Sequence, residues 1–136
     1  MSIPNSVLDL IKQEQNRQAG LFIPHGLAYL EKLAQCAELI VHQEGADVLG
    51  YVFFYCNASD REQSYITLLG TSPSARGRGI GYGMVHQVLF ISKLRGFREC
   101  RLEVSKENKQ AFNFYRRMGF SVVEDRGGKC LMAIAV

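Results

Sequence analysis

The stretch Gly70-Thr71-Ser72-Pro73-Ser74-Ala75-Arg76-Gly77-Arg78-Gly79-Ile80-Gly81-Tyr82-Gly83 joins a strand-like run, 64–69, to a helix-like run, 82–94. Its glycines fall at every second position from Gly77 to Gly83, with Arg76 and Arg78 among them. Glycine takes positive φ without strain and has no Cβ, so successive backbone N–H groups converge on one anion at the positive end of the following helix. The expected ligand carries phosphates. Two common phosphate fingerprints are excluded. A dinucleotide G-x-G-x-x-G needs glycine where Tyr82 or Met84 stands, and no G-x-x-x-x-G-K-[ST] occurs. The plain alternative is a tight strand-to-helix turn.

Outward from that loop the chain alternates helix and strand patterns. A helix is expected over 6–17 behind an Asn5/Ser6 cap, and a second, ending near residue 37, carries Leu27, Leu30, Leu33 and Ala34 on one face. Strands are expected over 38–43 and 48–57 around the turn 44–47, then over 64–71. In the second strand Leu49, Tyr51, Phe53 and Tyr55 face one way and Val52, Phe54 and Cys56 the other, so both sheet faces should be covered. A helix over 79–94, closed by Gly96, leads to a strand over 98–104. The last helix follows Asn108 as its cap, with Ala111, Phe114, Tyr115 and Met118 recurring at i, i+3, i+4 and i+7 and Gly119 at its end. Strands over 120–124 and 130–136 close the chain. The class is α/β.

Length and composition bound the function. The 136 residues suit one domain, and 47% hydrophobic with 21% charged residues is ordinary globular composition. The formal charge of +3 comes from dispersed Lys and Arg, which fits an anionic small molecule better than a nucleic-acid track. Cys36, Cys56, Cys100 and Cys130 show no C-x-x-C pairing and read as small apolar residues in a reducing compartment, with no metal site. No apolar run reaches membrane-spanning length, and no signal-peptide pattern follows Met1. A cytoplasmic location is expected.

Arg76-x-x-Gly79-x-Gly81, directly after a strand and a Pro73 turn, resembles the pyrophosphate loop of the GNAT family of N-acetyltransferases, R/Q-x-x-G-x-G/A. Leu102-Glu103-Val104-Ser105-Lys106-Glu107-Asn108, then Ala111, then Phe114-Tyr115-Arg116-Arg117-Met118-Gly119-Phe120, resembles the second signature of the same family. The resemblance covers about residues 38–125. It implies a mixed, mostly antiparallel sheet flanked by helices, splayed where acetyl-CoA enters. The family usually opens with a strand, which residues 1–4 are too short to supply, so the sheet lacks its first strand or recruits one from a second subunit of a homodimer.

The resemblance also assigns roles. Gly70 and Thr71 would pair with the pantetheine amides, and Arg76, Gly77, Arg78, Gly79, Ile80, Gly81 and Tyr82 would hold the pyrophosphate. Asn108, Phe114 and Tyr115 would complete the acetyl-CoA site, Tyr115 also serving as the acid that protonates the departing thiolate. Glu103 is the candidate base. It lies on the strand face of Arg101 and Ser105, where desolvation would raise its pKa, whereas pairing with Arg101 would make it a plain strand carboxylate. The acceptor is expected to be a primary amine of a small molecule or amino sugar, the alternatives being a protein N-terminus or lysine and, in another class, a coenzyme-A-binding sensor without turnover. Phe22, His25, Tyr29 and Tyr55 are its candidate contacts. The aromatic residues Phe22, Tyr29, Tyr51, Phe53, Tyr55 and Tyr65 suit an acceptor pocket and a core equally.

Overall fold

The computed structural model describes residues 2–23 and 26–136. Among the described residues the order is α1 (Asn5–Arg17), α2 (Gly26–Cys36), β1 (Glu38–Glu44), β2 (Asp47–Tyr55), β3 (Gln63–Thr71), a 3₁₀ turn (Pro73–Ala75), α3 (Ile80–Leu94), β4 (Glu99–Ser105), α4 (Lys109–Met118), β5 (Ser121–Asp125) and β6 (Lys129–Ala135). The strands form an open six-stranded sheet in the order β1-β2-β3-β4-β6-β5. β3 runs parallel to β4, and β6 is antiparallel to both β4 and β5, so the sheet is mixed as the α/β reading expects. No strand precedes α1 among the described residues. Nor is any described helix long and apolar enough to cross a membrane.

The chain divides into two compact units, Met1–Phe53 with Leu68–Val85, and Phe54–Thr67 with His86–Val136. In the first unit α1 turns Val7 and Ile11, one helical turn apart, into the core, and α2 contributes Leu33. Burying each such side chain stabilises the fold by roughly 1.5–3 kcal/mol. The expected Asn5/Ser6 cap is absent. Pro4 takes the cap position and offers only its carbonyl, which accepts from Val7 and Leu8 N–H at 3.0 Å each. Proline's fixed φ preorganises the first turn without a side-chain acceptor. Leu49, Gly50, Tyr51, Val52 and Phe53 of β2 are all buried, as a strand covered on both faces must be.

Gly50 lies under the start of α3. A Cβ there would meet Met84 Cε at 2.7 Å and Ile80 Cγ2 at 3.2 Å, so the first turns of α3 lie directly on the β2 backbone.

In the second unit β4 alternates strictly. Cys100, Leu102 and Val104 are buried, while Glu99, Arg101, Glu103 and Ser105 are partly exposed. Its register with β6 runs from Glu99↔Ala135 to Ser105↔Lys129, and with β3 from Gln63↔Glu99 to Ile66↔Leu102. The buried Ser64 and Ser92 hydroxyls lie 2.7 Å apart, and Ser92 donates to Val88 O at 2.8 Å, so this interior polar pair is satisfied. Asn108 caps α4 as expected, its Oδ1 accepting from Ala111 N–H at 3.1 Å. Gly119 ends that helix at φ 109°, and the Phe120 N–H bonds back to Tyr115 O at 3.0 Å.

Candidate functional site

In the first unit the loop after β3 presents backbone. Gly77 and Gly79 sit at φ 78° and 76°, with open space where a Cβ would project. Gly79 precedes α3, and the N–H groups of a helix's first turn, here on Ile80 and Gly81, lie before any acceptor in the helix. Those donors and the helix dipole suit an anion. The two arginines are engaged in ion pairs on the flanks of the loop. Arg78 Nη2 bonds both oxygens of Glu44, at 3.0 and 2.8 Å, and Arg76 Nη2 lies 3.5 Å from Glu14 Oε1. The Arg17 guanidinium bonded to Glu14, with Gln18 and Arg76 adding to it, holds that carboxyl below the usual carboxylate value against its partial burial. Both pairs brace the loop against α1 and β1.

Gly70, at the end of β3, has a specific neighbour. Any side chain there would collide with the Tyr51 hydroxyl. Tyr51 is 1% exposed, and burial first, then Glu14 and Tyr29, pushes its phenol well above the usual value. Phe22 and Tyr29, the two acceptor candidates of this unit, are half-buried. His25 lies outside the described residues.

The second unit holds the side-chain chemistry. Tyr115 is packed edge-on between Phe114 and Phe120, with ring centroids 5.2 and 5.7 Å away. Burial, with Cys100 adding to it, raises its phenol well above 10.0, so it stays neutral and offers a proton in a hydrogen bond. Asn108 spends its Oδ1 on the helix cap, which leaves its NH2 group as the donor it can present to a ligand.

Glu103 differs from expectation in its partners. Arg101 turns to Glu99, at 2.7 Å, because alternate residues of one strand share a face. The cations beside Glu103 are Arg126 at 3.2 Å and Lys129 at 3.5 Å, from the β5–β6 turn and the start of β6. The strand register that sets Ser105 against Lys129 brings them there, and no local sequence spacing shows it. Each cation faces a different oxygen of the carboxylate. Tyr55, the remaining acceptor candidate, ends β2 in this unit, half-buried.

Residues 8–120 match the acetyltransferase (GNAT) family. The chain belongs to that family. A GNAT relative, an uncharacterised N-acetyltransferase of Methanocaldococcus jannaschii, is 38% identical over 80 residues, which cover 56% of this chain and 35% of that protein. The mycothiol acetyltransferase of Beutenbergia cavernae is 31% identical over 84 residues, covering 62% of this chain and 28% of its own length. The chain thus spans about a third of the curated relatives it matches. Among solved structures, a GNAT acetyltransferase from Elizabethkingia anophelis with acetyl-CoA bound shares the fold at a TM-score of 0.77 and 14% identity, over 100% of this chain and 92% of that one.

Proposed function

We propose that this GNAT chain transfers an acetyl group from acetyl-CoA to a primary amine of a small molecule or amino sugar. The observation that carries the reading is the glycine loop, with positive-φ glycines opening onto free space at the N-terminus of a 15-residue helix. Main-chain N–H groups within the stretch from Arg76 to Tyr82 hold the pyrophosphate, the Arg76 and Arg78 N–H groups having to leave Pro73 O and Ala75 O to take part, and the backbone of Gly70 and Thr71 pairs with the pantetheine arm. Asn108 NH2 donates to a pantetheine carbonyl, beside Phe114.

Bound acetyl-CoA supplies the thioester whose acetyl carbon accepts the amine. An alkylamine with a pKa near ~10 is protonated at neutral pH and must lose that proton before its nitrogen attacks. Glu103, directly or through a water, takes it. As the new C–N bond forms and the C–S bond breaks, the Tyr115 hydroxyl donates to the sulfur that leaves as thiolate. The phenol's raised pKa suits hydrogen-bond donation while the ring oxygen stays protonated. The mycothiol acetyltransferase relative supports a small-molecule acceptor, and an N-alpha-acetyltransferase 30 relative of Schizosaccharomyces pombe, 36% identical over 58 residues, supports the protein N-terminal alternative.

The test is release of coenzyme A thiol from acetyl-CoA with glucosamine, with 1,4-diaminobutane and with a peptide bearing a free N-terminal alanine. Thiol release that depends on one of the two small amines, faster than with the peptide, is the expected result. Saturable acetyl-CoA binding without amine-dependent release would replace the enzyme with a coenzyme-A-binding module.

A further inference from the structure

Within the second unit an open cavity of about 540 Å³ lies between the loop that joins β2 to β3 and the end of α3. Asn57, Ser59, Arg61 and Arg95 line it together with Leu94 and Phe97, a size and a mixture that suit a small organic ligand. Arg61 stands out among them. Its N–H donates to Ala58 O at 3.1 Å, which closes a four-residue turn, and its φ is 55°. Glycine is what such a turn favours at its last position, and an arginine held in the left-handed region is strained. Among the described residues no carboxylate offsets that strain with an ion pair to Arg61. Asp60 Oδ1 accepts from the Glu62 N–H at 3.0 Å, and the Glu62 carboxylate lies 3.7 Å from Arg98. The Arg61 side chain runs instead along the Gly96 backbone, its Nη1 3.8 Å from where a Cβ on residue 96 would stand. Arg95 is fixed from the helix side, Nη1 donating to Cys56 O at 3.1 Å. Two guanidiniums from two elements thus line one cavity that no carboxylate lines. The negative end of α3 opposes them with only about half a charge.

We propose that this cavity is a second binding site, for a small organic oxyanion whose carboxylate or phosphate group is held by Arg61 and Arg95. Both head groups present paired oxygens to the N–H fork of a guanidinium, which is the chemistry they share. Asn57 and Ser59 add hydrogen-bonding groups for polar substituents, and Leu94 and Phe97 meet the carbon body. The volume exceeds what a bare inorganic ion fills, so the ligand is organic. The lining shares no residue with the glycine loop or with Glu103, Asn108 and Tyr115. The inference therefore goes beyond the acetyltransferase reading and does not rest on it.

The experiment is a titration of the isotope-labelled full chain with citrate and, separately, with inorganic phosphate, followed through its backbone amide resonances. Saturable shifts at Asn57, Ala58, Ser59 and Gly96 are expected, with a Kd for citrate of about 1 mM or tighter and weaker binding of phosphate, which fills less of the cavity. Tighter binding of phosphate at the same amides would name the head group as phosphate. Arg61→Gly should weaken the tighter probe about tenfold or more, with a thermal midpoint close to or above that of the wild type, since glycine suits the turn. Shifts confined to residues 76–82, or no saturation with either probe by about 10 mM, would overturn the inference. So would a folded Arg61→Gly variant that binds as the wild type does. A clear fall in its midpoint would also overturn it, by assigning the guanidinium to the fold. Acetyl-CoA takes no part in any of these measurements, so their failure leaves the acetyltransferase reading standing.

Discussion

At the start of α3 the working atoms are backbone N–H groups, and what matters is where side chains are missing. Gly77 and Gly79 open the loop, and Gly50 lets α3 settle on β2. On α4 and β4 the working atoms belong to side chains, and what matters is what surrounds them. Tyr115 is walled in by Phe114 and Phe120, and Glu103 is flanked by Arg126 and Lys129. A site made of backbone tolerates changes in its flanking side chains but fails when a Cβ intrudes. A site made of side chains fails by the loss of one atom, with the fold left standing.

The sharpest way to break that contrast is Tyr115→Phe, which removes one oxygen and little volume. Its kcat is expected to fall about 100-fold with acetyl-CoA affinity little changed, because the hydrogen bond matters as charge develops on sulfur. An unaltered kcat, with chemistry limiting turnover, would reduce Tyr115 to a core residue. The counterpart in the loop is Gly79→Val. At φ 76° a β-branched residue is strained, and its side chain enters the open space before α3. Calorimetry should show acetyl-CoA affinity lower by about tenfold or more in a variant that still unfolds cooperatively.

Glu103→Gln sharpens the comparison on β4. If Glu103 takes the amine's proton, kcat/KM falls about tenfold at pH 7 and recovers as the pH nears the amine's own pKa near ~10, where solvent supplies the free base. A loss uniform across pH would assign Glu103 to its ion pairs with Arg126 and Lys129 instead.

The smallest effect concerns the loop's bracing. Glu14 titrates below its ordinary value of 4.5 in the folded chain, so its ion pairs stabilise the fold above that pH, and the contribution fades as pH falls through the lowered value. Glu14→Gln should therefore cost about 1 kcal/mol at pH 7, and the difference from wild type should shrink toward pH 3. Urea midpoints at the two pH values read this directly. A difference that grows in acid would contradict it.

The two regions also differed in how far the sequence disclosed them. A backbone site leaves its trace as glycines, so the loop, the start of α3 near residue 80 and the α4 cap at Asn108 could all be read directly. Side-chain partners depend on register. The neighbours of Glu103 lie 23 and 26 residues further on and meet it through β4–β6 pairing, whereas the nearby Arg101 is drawn to Glu99. Tyr51 was legible only as one aromatic among several in an apolar run. Its unpartnered oxygen is a property of packing against Gly70, and a sequence pattern does not separate it from Phe53. The N-cap of α1 shows the same limit from the other direction. Asn5 and Ser6 both favour a cap, yet Pro4 starts the helix one residue earlier.

If the glycine loop holds a pyrophosphate, wild-type protein shows it without mutation. Calorimetric titration with acetyl-CoA, alongside S-acetylpantetheine, compares the same thioester with and without the phosphates. Saturable binding of acetyl-CoA, at least about tenfold tighter than S-acetylpantetheine, is the predicted result. Equal affinities, or no binding of either, would contradict it.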